Sequence, residues 1–382
     1  MKRKAKKKRW PKVLLMIVIV IVILIAVLYR VMVPYVNYNT GIDWSSLEGE
    51  NVVLNYPVFD GKQVWENAAV VIENGVITSV DTASEAETDK RYFLMPGLVD
   101  AHTHVSKTGQ MELMLSKGVT ITCDVQISPE VQASFPHLNV WTARSGAFVM
   151  VKDGHAFVED MIARGAQYIK VVVDLPAIMG GGLMDKAVLQ DIVDTAHAND
   201  LRVAVHAISI AGVQQTVDCS ADMLIHIPIG EELPCELAEQ IAAQGMAVMP
   251  TLVMMKAFSD SPLYGFEKDD YLDAVNAVQL LHSLGVPLLV ATDANPGGFV
   301  PAIIHGTDLH REMQLLVEAG LSPLTVLQGA TSLPAEAFGL EGVGSIATGE
   351  PATMVLVEGR PDQQITDSTK IVQIWVNGKP IL

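Results

Sequence analysis

Residues 98–344 alternate short apolar, β-rich runs with helical stretches, a pattern that predicts an α/β fold with a (β/α)8 TIM barrel. Strand-rich stretches at residues 51–97 and 345–382 flank this region and predict a small β-sandwich domain built from both ends of the catalytic region. A long apolar run near the N-terminus predicts one transmembrane helix ahead of both domains. The expected architecture is therefore a barrel inserted into a small β-domain and tethered by a single helix.

Three segments of different composition make up the first fifty residues. Residues 1–12 carry eight Lys or Arg and no acidic residue, which indicates a basic cytoplasmic segment. We interpret residues 13–33 as an uncleaved transmembrane signal anchor, because their apolar run is longer than a usual signal-peptide core and no small-residue cleavage site follows. Residues 34–50 are polar and predict a linker. The chain is thus expected in the cell membrane as a single-pass protein, with its N-terminus cytoplasmic and its catalytic domain extracytoplasmic.

The predicted β-domain combines residues 51–97 with residues 345–382. In the first part, two apolar runs flank Asn74-Gly75, a dipeptide typical of tight β-hairpins. The second part contains two strand-like runs, TMVLVEG and IVQIWVNG, and each of them ends at a glycine. We therefore expect strands from the two ends to pack together, although the barrel separates them in the sequence.

Eight runs in the barrel region have the length and composition of barrel strands. Helical stretches fill the gaps between them, and the one at residues 308–320 ends at a glycine, as a helix C-cap does. The predicted strands span residues 98–104, 119–125, 139–146, 168–174, 203–209, 223–228, 247–253 and 287–295.

Composition and charge limit the classes of partner. Half of the residues are hydrophobic and 18% are charged, which favours a folded globular chain over a disordered one. After the basic segment, the chain contains 18 basic and 43 acidic side chains, a formal charge of −25. Phosphate contacts need basic surfaces, so this balance argues against nucleic-acid binding. A small-molecule substrate is the expected partner, together with the membrane through the N-terminal helix, and a homo-oligomer stays an open alternative.

Six residues with metal-binding or proton-transferring side chains lie on five different predicted strands. They are His102 and His104 on the first strand, Lys170 on the fourth, His206 on the fifth, His226 on the sixth and Asp293 on the eighth. In (β/α)8 barrels the C-terminal ends of several strands supply the active site, so these side chains are expected to converge. Two histidines spaced i, i+2 on a strand point to the same side. Because histidine and carboxylate donors bind divalent metals, the pattern predicts a metal-dependent hydrolytic site.

The same segments resemble the signature motifs of the amidohydrolase superfamily. LMPGLVDAHTHV resembles its first-strand motif, YIKVVVD its metal-bridging lysine strand and GVPLLVATDAN its aspartate strand. LRVAVHAIS and DMLIHIP resemble its two later histidine strands. The segments HREMQLLVEAGLSPLTVLQGAT and AFGLEGVGSIATGEPATMVLVEG resemble the imidazolonepropionase-like branch, which includes Xaa-Pro and related dipeptidases. The resemblance runs from about residue 51 to the C-terminus and implies hydrolysis of an amide, cyclic amide or dipeptide C–N bond in a small molecule.

This resemblance also implies a binuclear metal centre, with zinc as the default for its two divalent ions. It assigns His102, His104 and Asp293 to one metal, His206 and His226 to the second, and a carboxylated Lys170 to the bridge between them. Burial lowers the pKa of a lysine, and reaction with carbon dioxide turns the amine into an anionic oxygen donor. The resemblance further implies that Asp293 takes the proton of a metal-bridging hydroxide as it attacks a carbonyl, and then delivers that proton to the leaving nitrogen.

Two positions depart from the family pattern beside the predicted ligands. Many relatives carry a second histidine where this chain has Ile208, and a glutamate commonly precedes the sixth-strand histidine where it has Ile225. Neither change removes a predicted ligand, but both alter the surroundings of the ligands and weaken the transfer of any one substrate. Candidate substrate-binding residues are His155, in the loop after the third strand, and Arg144, near the end of that strand.

Alternatives stay open at this point. Lys170 could be a structural lysine beside a single metal, and the chain could be a mononuclear deaminase. A lactonase or phosphotriesterase-like hydrolase on the same metals is a further alternative. One ion per chain would favour deamination, and two would favour amide or ester hydrolysis. A catalytically inactive surface binding protein should have lost ligands, whereas all six are present here.

Overall fold

The structure, a computed structural model, describes residues 51–175, 181–298 and 300–381. The predicted basic segment, signal anchor and linker, which together make up residues 1–50, lie outside these residues. Across the three described ranges, no helix combines the length and the apolar character needed to cross a membrane. What the structure does describe is the predicted β-domain and the predicted barrel.

Residues 51–97 form four strands. They are β1 (Val52–Phe59), β2 (Val64–Glu73), β3 (Val76–Asp81) and β4 (Tyr92–Pro96). β2 and β3 pair in antiparallel fashion across Asn74-Gly75, where φ is 52° and 84°. A tight hairpin turn of type I′ requires positive φ at both central residues, and Asn-Gly is its preferred sequence. The predicted hairpin is therefore present.

Parallel strands form most of a barrel in the middle of the chain. They are β5 (Leu98–Thr103), β6 (Val119–Asp124), β7 (Asn139–Thr142), β8 (Gly146–Ala147), β9 (Ile169–Val172), β10 (Val203–His206), β11 (Met223–Ile225) and β12 (Ala247–Met249). One sheet has the order β5-β6-β7, and a second has the order β12-β11-β10-β9-β8. The third predicted strand is thus divided into β7 and β8, and the other strands follow the predicted order.

The eighth predicted strand, residues 287–295, closes the barrel without forming a regular strand. Its backbone hydrogen-bonds to Val248 of β12 on one side and to Ala101 of β5 on the other. Only isolated bridges form, because the N–H of Val290 donates to the carbonyl of Gly329 and the N–H of Thr292 donates to the buried carboxylate of Asp100. The predicted strand is wrong in its regularity, but the segment completes a TIM-barrel-like fold.

C-terminal strands complete the β-domain. They are β13 (Met354–Glu358), β14 (Ile371–Val376) and β15 (Lys379–Pro380). Together with the N-terminal strands they form one sheet of order β15-β14-β13-β4-β1-β2-β3. The predicted two-sheet sandwich is corrected to a single sheet, because β4 hydrogen-bonds to both β1 and β13. The sheet curls over a shared core, since the Ile77 N–H donates to the Glu350 carbonyl at 2.9 Å and Leu54 and Trp375 belong to the same apolar cluster.

Helices follow the barrel strands. They are α1 (Thr108–Ser116), α2 (Pro129–Ser134), α3 (Gly154–Ala163), α4 (Lys186–Ala198), α5 (Ile210–Asp218), α6 (Cys235–Ala243), α7 (Leu252–Ser259), α8 (Asp270–Ser283), α9 (Thr307–Glu318), α10 (Pro323–Gly329) and α11 (Ser332–Phe338), with 3-10 helices at Pro262–Tyr264 and Ile365–Thr369. Side chains of Asp153, Asp185 and Ser209 cap the N-termini of α3, α4 and α5 by accepting hydrogen bonds from the first-turn N–H groups. These caps fix where the helices begin after the strand ends that carry the site.

Candidate metal centre

All six residues of the predicted site line one cavity of about 350 Å³ at the C-terminal ends of the barrel strands. They are His102 at the end of β5, His104 just after it, Lys170 in β9, His206 at the end of β10, His226 just after β11 and Asp293 in the closing segment. We refer to these six residues as the ligand cluster. The structure brings them together as the strand positions predict, and their individual roles as ligands stay predictions.

Asp293 lies between the two histidines of the first strand. Its Oδ1 is 3.0 Å from His104 Nε2 and 3.3 Å from His102 Nε2. Lys170 Nζ is 3.5 Å from the same nitrogen of His102. One ligand atom from each of His102, His226 and Asp293 lies within 4.8 Å of the others. Imidazole nitrogens and a carboxylate at these separations form a donor set for a divalent cation.

His226 is oriented by Thr251, which follows β12. Its Nδ1 lies 2.7 Å from the Thr251 hydroxyl, and both residues are buried. The ring of His226 also packs edge-on against the ring of His206, with their centroids 4.5 Å apart. Because the hydrogen bond occupies Nδ1, Nε2 of His226 is the nitrogen left to bind a metal.

His206 supplies the observation that tests the fit of a metal most directly. Its Nε2 is buried and has no hydrogen-bond partner in the described part of the chain. Asp174 Oδ1 is 3.8 Å from this nitrogen, which is beyond hydrogen-bond distance. Leaving a buried polar atom unpaired costs roughly 1–3 kcal/mol. A metal ion would satisfy the His206 nitrogen, so the cluster fits a divalent metal ion.

Burial sets the protonation states of the cluster. It lowers the pKa of both His102 and His206 to about 3, aided by the nearby Lys170, and it lowers the pKa of His226 well below its usual range. Burial also lowers the pKa of Lys170 to about 7, against the opposing effect of Asp293. For Asp293 itself, burial raises the pKa, but hydrogen bonds from His102 and the neighbouring histidine bring it well below its usual range. Neutral imidazoles and an ionised carboxylate are the forms that bind a cation.

Three residues in and beside the ligand cluster have an unusual backbone conformation. φ is 71° at His226, 50° at Thr251 and 59° at Asp293, so three non-glycine residues of the site adopt the left-handed region. Such conformations cost roughly 1–3 kcal/mol each and persist only where surrounding contacts hold them. His226 directly follows β11, Thr251 lies two residues after β12, and Asp293 lies in the closing segment, so each left-handed residue lies at the C-terminal end of the barrel.

Sequence reasoning missed Asp100, a buried carboxylate that connects two parts of the cluster. It accepts hydrogen bonds from the Thr292 hydroxyl at 2.7 Å, the Thr292 N–H at 3.1 Å and the His102 N–H at 3.4 Å. These bonds tie β5 to the closing segment and thereby hold His102 beside Asp293. Burial raises the pKa of Asp100 to about 7. The available signal was its i, i+2 spacing from His102, which places both side chains on the inner face of β5.

Asp174 was also missed, and it organises the chain after His206. Its carboxylate accepts hydrogen bonds from the N–H of Ile208 at 3.1 Å and from the N–H of Ser209 at 2.9 Å. Gly212 in α5 packs directly on this carboxylate, and a Cβ there would collide with it. The position of Ile208 in the cavity wall is therefore fixed by its own backbone.

Two further buried groups support the cluster from α9 and the segment before it. Glu312 accepts hydrogen bonds from the N–H groups of Leu252 and Val253, which directly follow Thr251. His305 lies with Nε2 3.3 Å from the His104 carbonyl oxygen. No local motif marks Glu312 or His305, because both contact the site only through the closure of the barrel.

The two residues predicted to bind substrate do not line the cavity. His155 lies near the start of α3, where its Nδ1 is 3.3 Å from the Thr195 hydroxyl on the neighbouring α4. Arg144 has a φ of 64° at the break between β7 and β8, and its Nη1 donates to the Ile127 carbonyl at 3.3 Å. The helix packing and the break in the strand turn these side chains away from the ligand cluster, so the structure does not bring them to the predicted substrate position.

The two isoleucines that depart from the family pattern occupy different surroundings. Ile208 lines the cavity that contains the ligand cluster. Ile225 is buried in the apolar core inside the barrel and packs with residues such as Ala204 and Met249. Of the two departures, the change at Ile208 therefore bears directly on what the cavity can bind.

Comparison with known proteins agrees with this geometry. The model of the amidohydrolase family matches residues 93–185 and 183–381, which include the whole ligand cluster. The chain belongs to the amidohydrolase family. The predicted resemblance is thus confirmed, and it identifies the chain as a hydrolase that acts on carbon–nitrogen bonds.

Curated relatives in this family include two enzymes of different activity. The adenine deaminase of Lysinibacillus sphaericus (strain C3-41) is 23% identical over 380 residues, which cover 88% of this chain and 58% of that protein. The chain therefore spans less than two thirds of the length of this relative. The imidazolonepropionase of Ectopseudomonas mendocina (strain ymp) is 24% identical over 378 residues, which cover 78% of this chain and 89% of that protein.

Solved structures show the same fold. A Xaa-Pro dipeptidase with bound methionine has a TM-score of 0.74 at 19% identity and covers 87% of this chain and 99% of its own. Molinate hydrolase has a TM-score of 0.73 at 18% identity and covers 87% of this chain and 95% of its own. At these identities the likeness establishes the barrel and its accessory β-domain, and leaves the substrate to be inferred from the site.

Proposed function

We propose that this chain is a metal-dependent amidohydrolase that cleaves the C–N bond of an amide-type small molecule. One water is added to R–CO–NH–R′, the C–N bond breaks, and the products are R–COOH and R′–NH2. The observation that carries the proposal is the convergence of four histidines, one ionised carboxylate and a buried lysine in a single cavity. Three of these histidines are kept neutral by burial, as metal binding requires.

In this proposal the cluster holds two divalent metal ions, with zinc as the default. His102, His104 and Asp293 would hold one ion, and His206 and His226 would hold the other. When bound, the ions supply Lewis acidity and lower the pKa of water to near neutrality. The remaining chemistry belongs to the side chains of the chain itself.

Lys170 is proposed to join the two metal sites as a carbamate. The neutral amine adds to carbon dioxide, forms an N–C bond and releases one proton, which gives an anionic oxygen donor. The position of Lys170 supports this role, because its amine is almost fully buried and lies 3.5 Å from His102 Nε2. A protonated amine in that position would repel a metal ion and would be poorly solvated.

Asp293 is the proposed general base and general acid. Its carboxylate lies at the centre of the cluster and is held ionised by His102 and His104. It would accept a proton from the attacking water and deliver that proton to the departing nitrogen, so that no proton is gained or lost over the cycle. The Asp293 carboxylate would also position the attacking water next to the scissile carbonyl group.

A metal and activity assay on the full chain in detergent tests this function. Metal content is measured by mass spectrometry, and turnover is measured on a panel of N-acyl amines, cyclic amides and dipeptides before and after chelation. Metal-dependent release of an amine, restored by added zinc and abolished in Asp293→Asn, is the expected result. Full metal loading without turnover of any member would contradict the proposal.

Deamination is the second candidate, and similarity to an adenine deaminase supports it. Deamination by water would release ammonia from an amino group on a heterocycle instead of cleaving an acyl–nitrogen bond. One metal ion per chain, together with ammonia release from aminopurines, would favour this candidate over the first.

We also propose that residues 13–33 anchor the protein in the cell membrane with the catalytic domain on the outside. The support is the apolar run bounded by eight basic residues on its N-terminal side. Membrane fractionation of the full chain and of a chain without residues 1–33 tests this, combined with protease treatment of intact cells. Recovery of the full chain in the soluble fraction would contradict the anchor.

A further inference from the structure

The cavity around the ligand cluster has an apolar wall. Its main apolar side chains are those of Phe148, Leu175, Ile208, Met255, Phe258 and Val300. Apart from the cluster, the polar side chains of the described wall are the uncharged Gln126, Ser145 and Asn295. Uncharged groups therefore surround the place where a substrate would sit.

Lys170 is the one lysine or arginine that lines this cavity among the described residues. It is 2% exposed, and its amine faces His102 in the ligand cluster. Substrate carboxylates are commonly held by the two-pronged guanidinium of an arginine. Arg144 does not serve this purpose, because its guanidinium donates to the Ile127 carbonyl and does not line the cavity.

An adjoining cavity of about 630 Å³ shares Leu175 and Ile208 with the first. Its charged lining residues within the described ranges are Asp174 and Glu231, and both are acidic. Leu263, which is 76% exposed, extends the apolar surface of this cavity outwards. A substrate that reaches from the cluster into the second cavity would therefore meet apolar groups and negative charge.

Long-range electrostatics act in the same direction. The chain after residue 12 carries 18 basic and 43 acidic side chains, and this excess of negative charge repels anions as they approach. The approach to the cavity and the cavity wall thus both disfavour a carboxylate.

From these observations we infer that the substrate is an uncharged amide with apolar groups on both sides of the scissile bond, and that amides bearing a carboxylate are rejected. The inference rests on the proposed amide hydrolysis. Its physical reason is that a carboxylate moved from water to this wall loses its hydration, and the described wall outside the ligand cluster offers no cationic side chain as a partner. An apolar acyl or aryl group, in contrast, is stabilised by leaving water.

A set of three matched anilides tests this inference. All three carry the same hexanoyl group on nitrogen, and their aniline rings carry hydrogen, a 4-acetyl group or a 4-carboxylate. The 4-acetyl compound controls for the size of the 4-carboxylate, and the unsubstituted anilide controls for its electronic effect, because an ionised carboxylate withdraws little electron density from the ring. Release of the aniline by the metal-loaded full chain is followed by chromatography. The substrate concentration is varied while the detergent concentration is kept constant. We expect kcat/KM to be at least about 100-fold higher for each of the two uncharged compounds than for the 4-carboxylate.

Variants at the cavity rim make the test specific to the wall. Phe148 lines the cavity and is 44% exposed, so Phe148→Arg adds a cation without burying it. This change should raise the carboxylate-to-acetyl ratio of kcat/KM by about tenfold. Phe148→Leu controls for the loss of the aromatic ring. Leu272→Arg makes the same charge change on α8, at a residue that is 56% exposed and lines neither cavity, and should leave the ratio at the value of the parent chain.

The outcomes separate this inference from the function on which it rests. Metal-dependent turnover of the 4-carboxylate at a rate equal to or above that of the 4-acetyl compound would overturn the inference and leave amide hydrolysis standing. No turnover of any of the three compounds by the metal-loaded chain would count against both. An unchanged ratio in Phe148→Arg would contradict the claim that the charge of the wall sets the selectivity.

Discussion

Replacing Thr251 by valine isolates the contribution of a single hydrogen bond to metal binding. Valine keeps the branched shape of threonine and removes the hydroxyl that lies 2.7 Å from His226 Nδ1. Both residues are buried, so water has little access to replace the lost partner. The change should free the His226 ring to rotate and should leave its Nδ1 unpaired.

The size of the effect follows from this geometry. A buried nitrogen left without a partner costs roughly 1–3 kcal/mol, and loss of a hydrogen bond that orients a metal-binding histidine typically weakens metal affinity about 10- to 100-fold. The two figures agree, since tenfold corresponds to about 1.4 kcal/mol. We therefore expect Thr251→Val to release one metal ion at a chelator concentration about 10- to 100-fold lower than the parent chain does.

Competition with a metal chelator, read by a fluorescent zinc indicator, measures this affinity. Thr251→Ser is the matched control, because serine keeps the hydroxyl and removes only the γ-methyl at a residue whose φ is 50°. Circular dichroism melting reports separately on the fold. An affinity of Thr251→Val within twofold of the parent would refute the role of the hydrogen bond. Equal losses in the serine and valine variants would attribute the effect to packing instead.

Three other predictions concern acid–base groups. Asp293→Asn should lower kcat by about 100- to 10,000-fold, since an amide cannot transfer the proton, and unchanged turnover would exclude Asp293 as the base. Lys170→Ala should reduce the metal content measured by mass spectrometry from two ions per chain to one or none, and retention of two ions would exclude a bridging carbamate. Burial lowers the pKa of His310 from 6.5 to about 4. The unfolded chain therefore binds a proton first as pH falls from 6.5 towards 4, and this group should lower the free energy of unfolding by about 2 kcal/mol at pH 5 relative to pH 7.5. Urea unfolding at the two pH values measures this loss of unfolding free energy. The loss should be smaller in His310→Gln, and an equal loss in that variant would show that another group causes it.

The ligand cluster could be predicted from the sequence because strand geometry determines it. Side chains alternate between the two faces of a strand, so a residue at the C-terminal end of a barrel strand can be assigned to the barrel interior from its position. His102 and His104 have the spacing i, i+2 and therefore share one face. The hairpin at Asn74-Gly75 was equally predictable, since the two residues supply the positive φ values that the turn requires. In each case, a local rule and the global fold point to the same answer.

Features that depend on contacts distant in sequence could not be predicted. The closing segment is irregular because Thr292 bonds to Asp100, which lies 192 residues earlier in the chain. The third predicted strand breaks at Arg144, whose own backbone is left-handed. Glycine and asparagine are the residues that usually mark such a conformation in a sequence, and an arginine does not. His155 faces Thr195 because α3 packs on α4, and spacing along the chain carries no information on that contact.

Ile208 shows how the specificity of this site can change while its ligand cluster stays the same. The backbone of Ile208 is held by Asp174, 3.1 Å from its N–H, and this bond does not depend on the side chain. The side chain itself lies in the wall shared by both cavities. An isoleucine in place of the second histidine of many relatives therefore removes a polar group from the substrate side without moving His206, two residues earlier. A change at such a position can alter which substrate binds without altering the residues of the ligand cluster. Family membership therefore says more about the type of reaction of this chain than about the identity of its substrate.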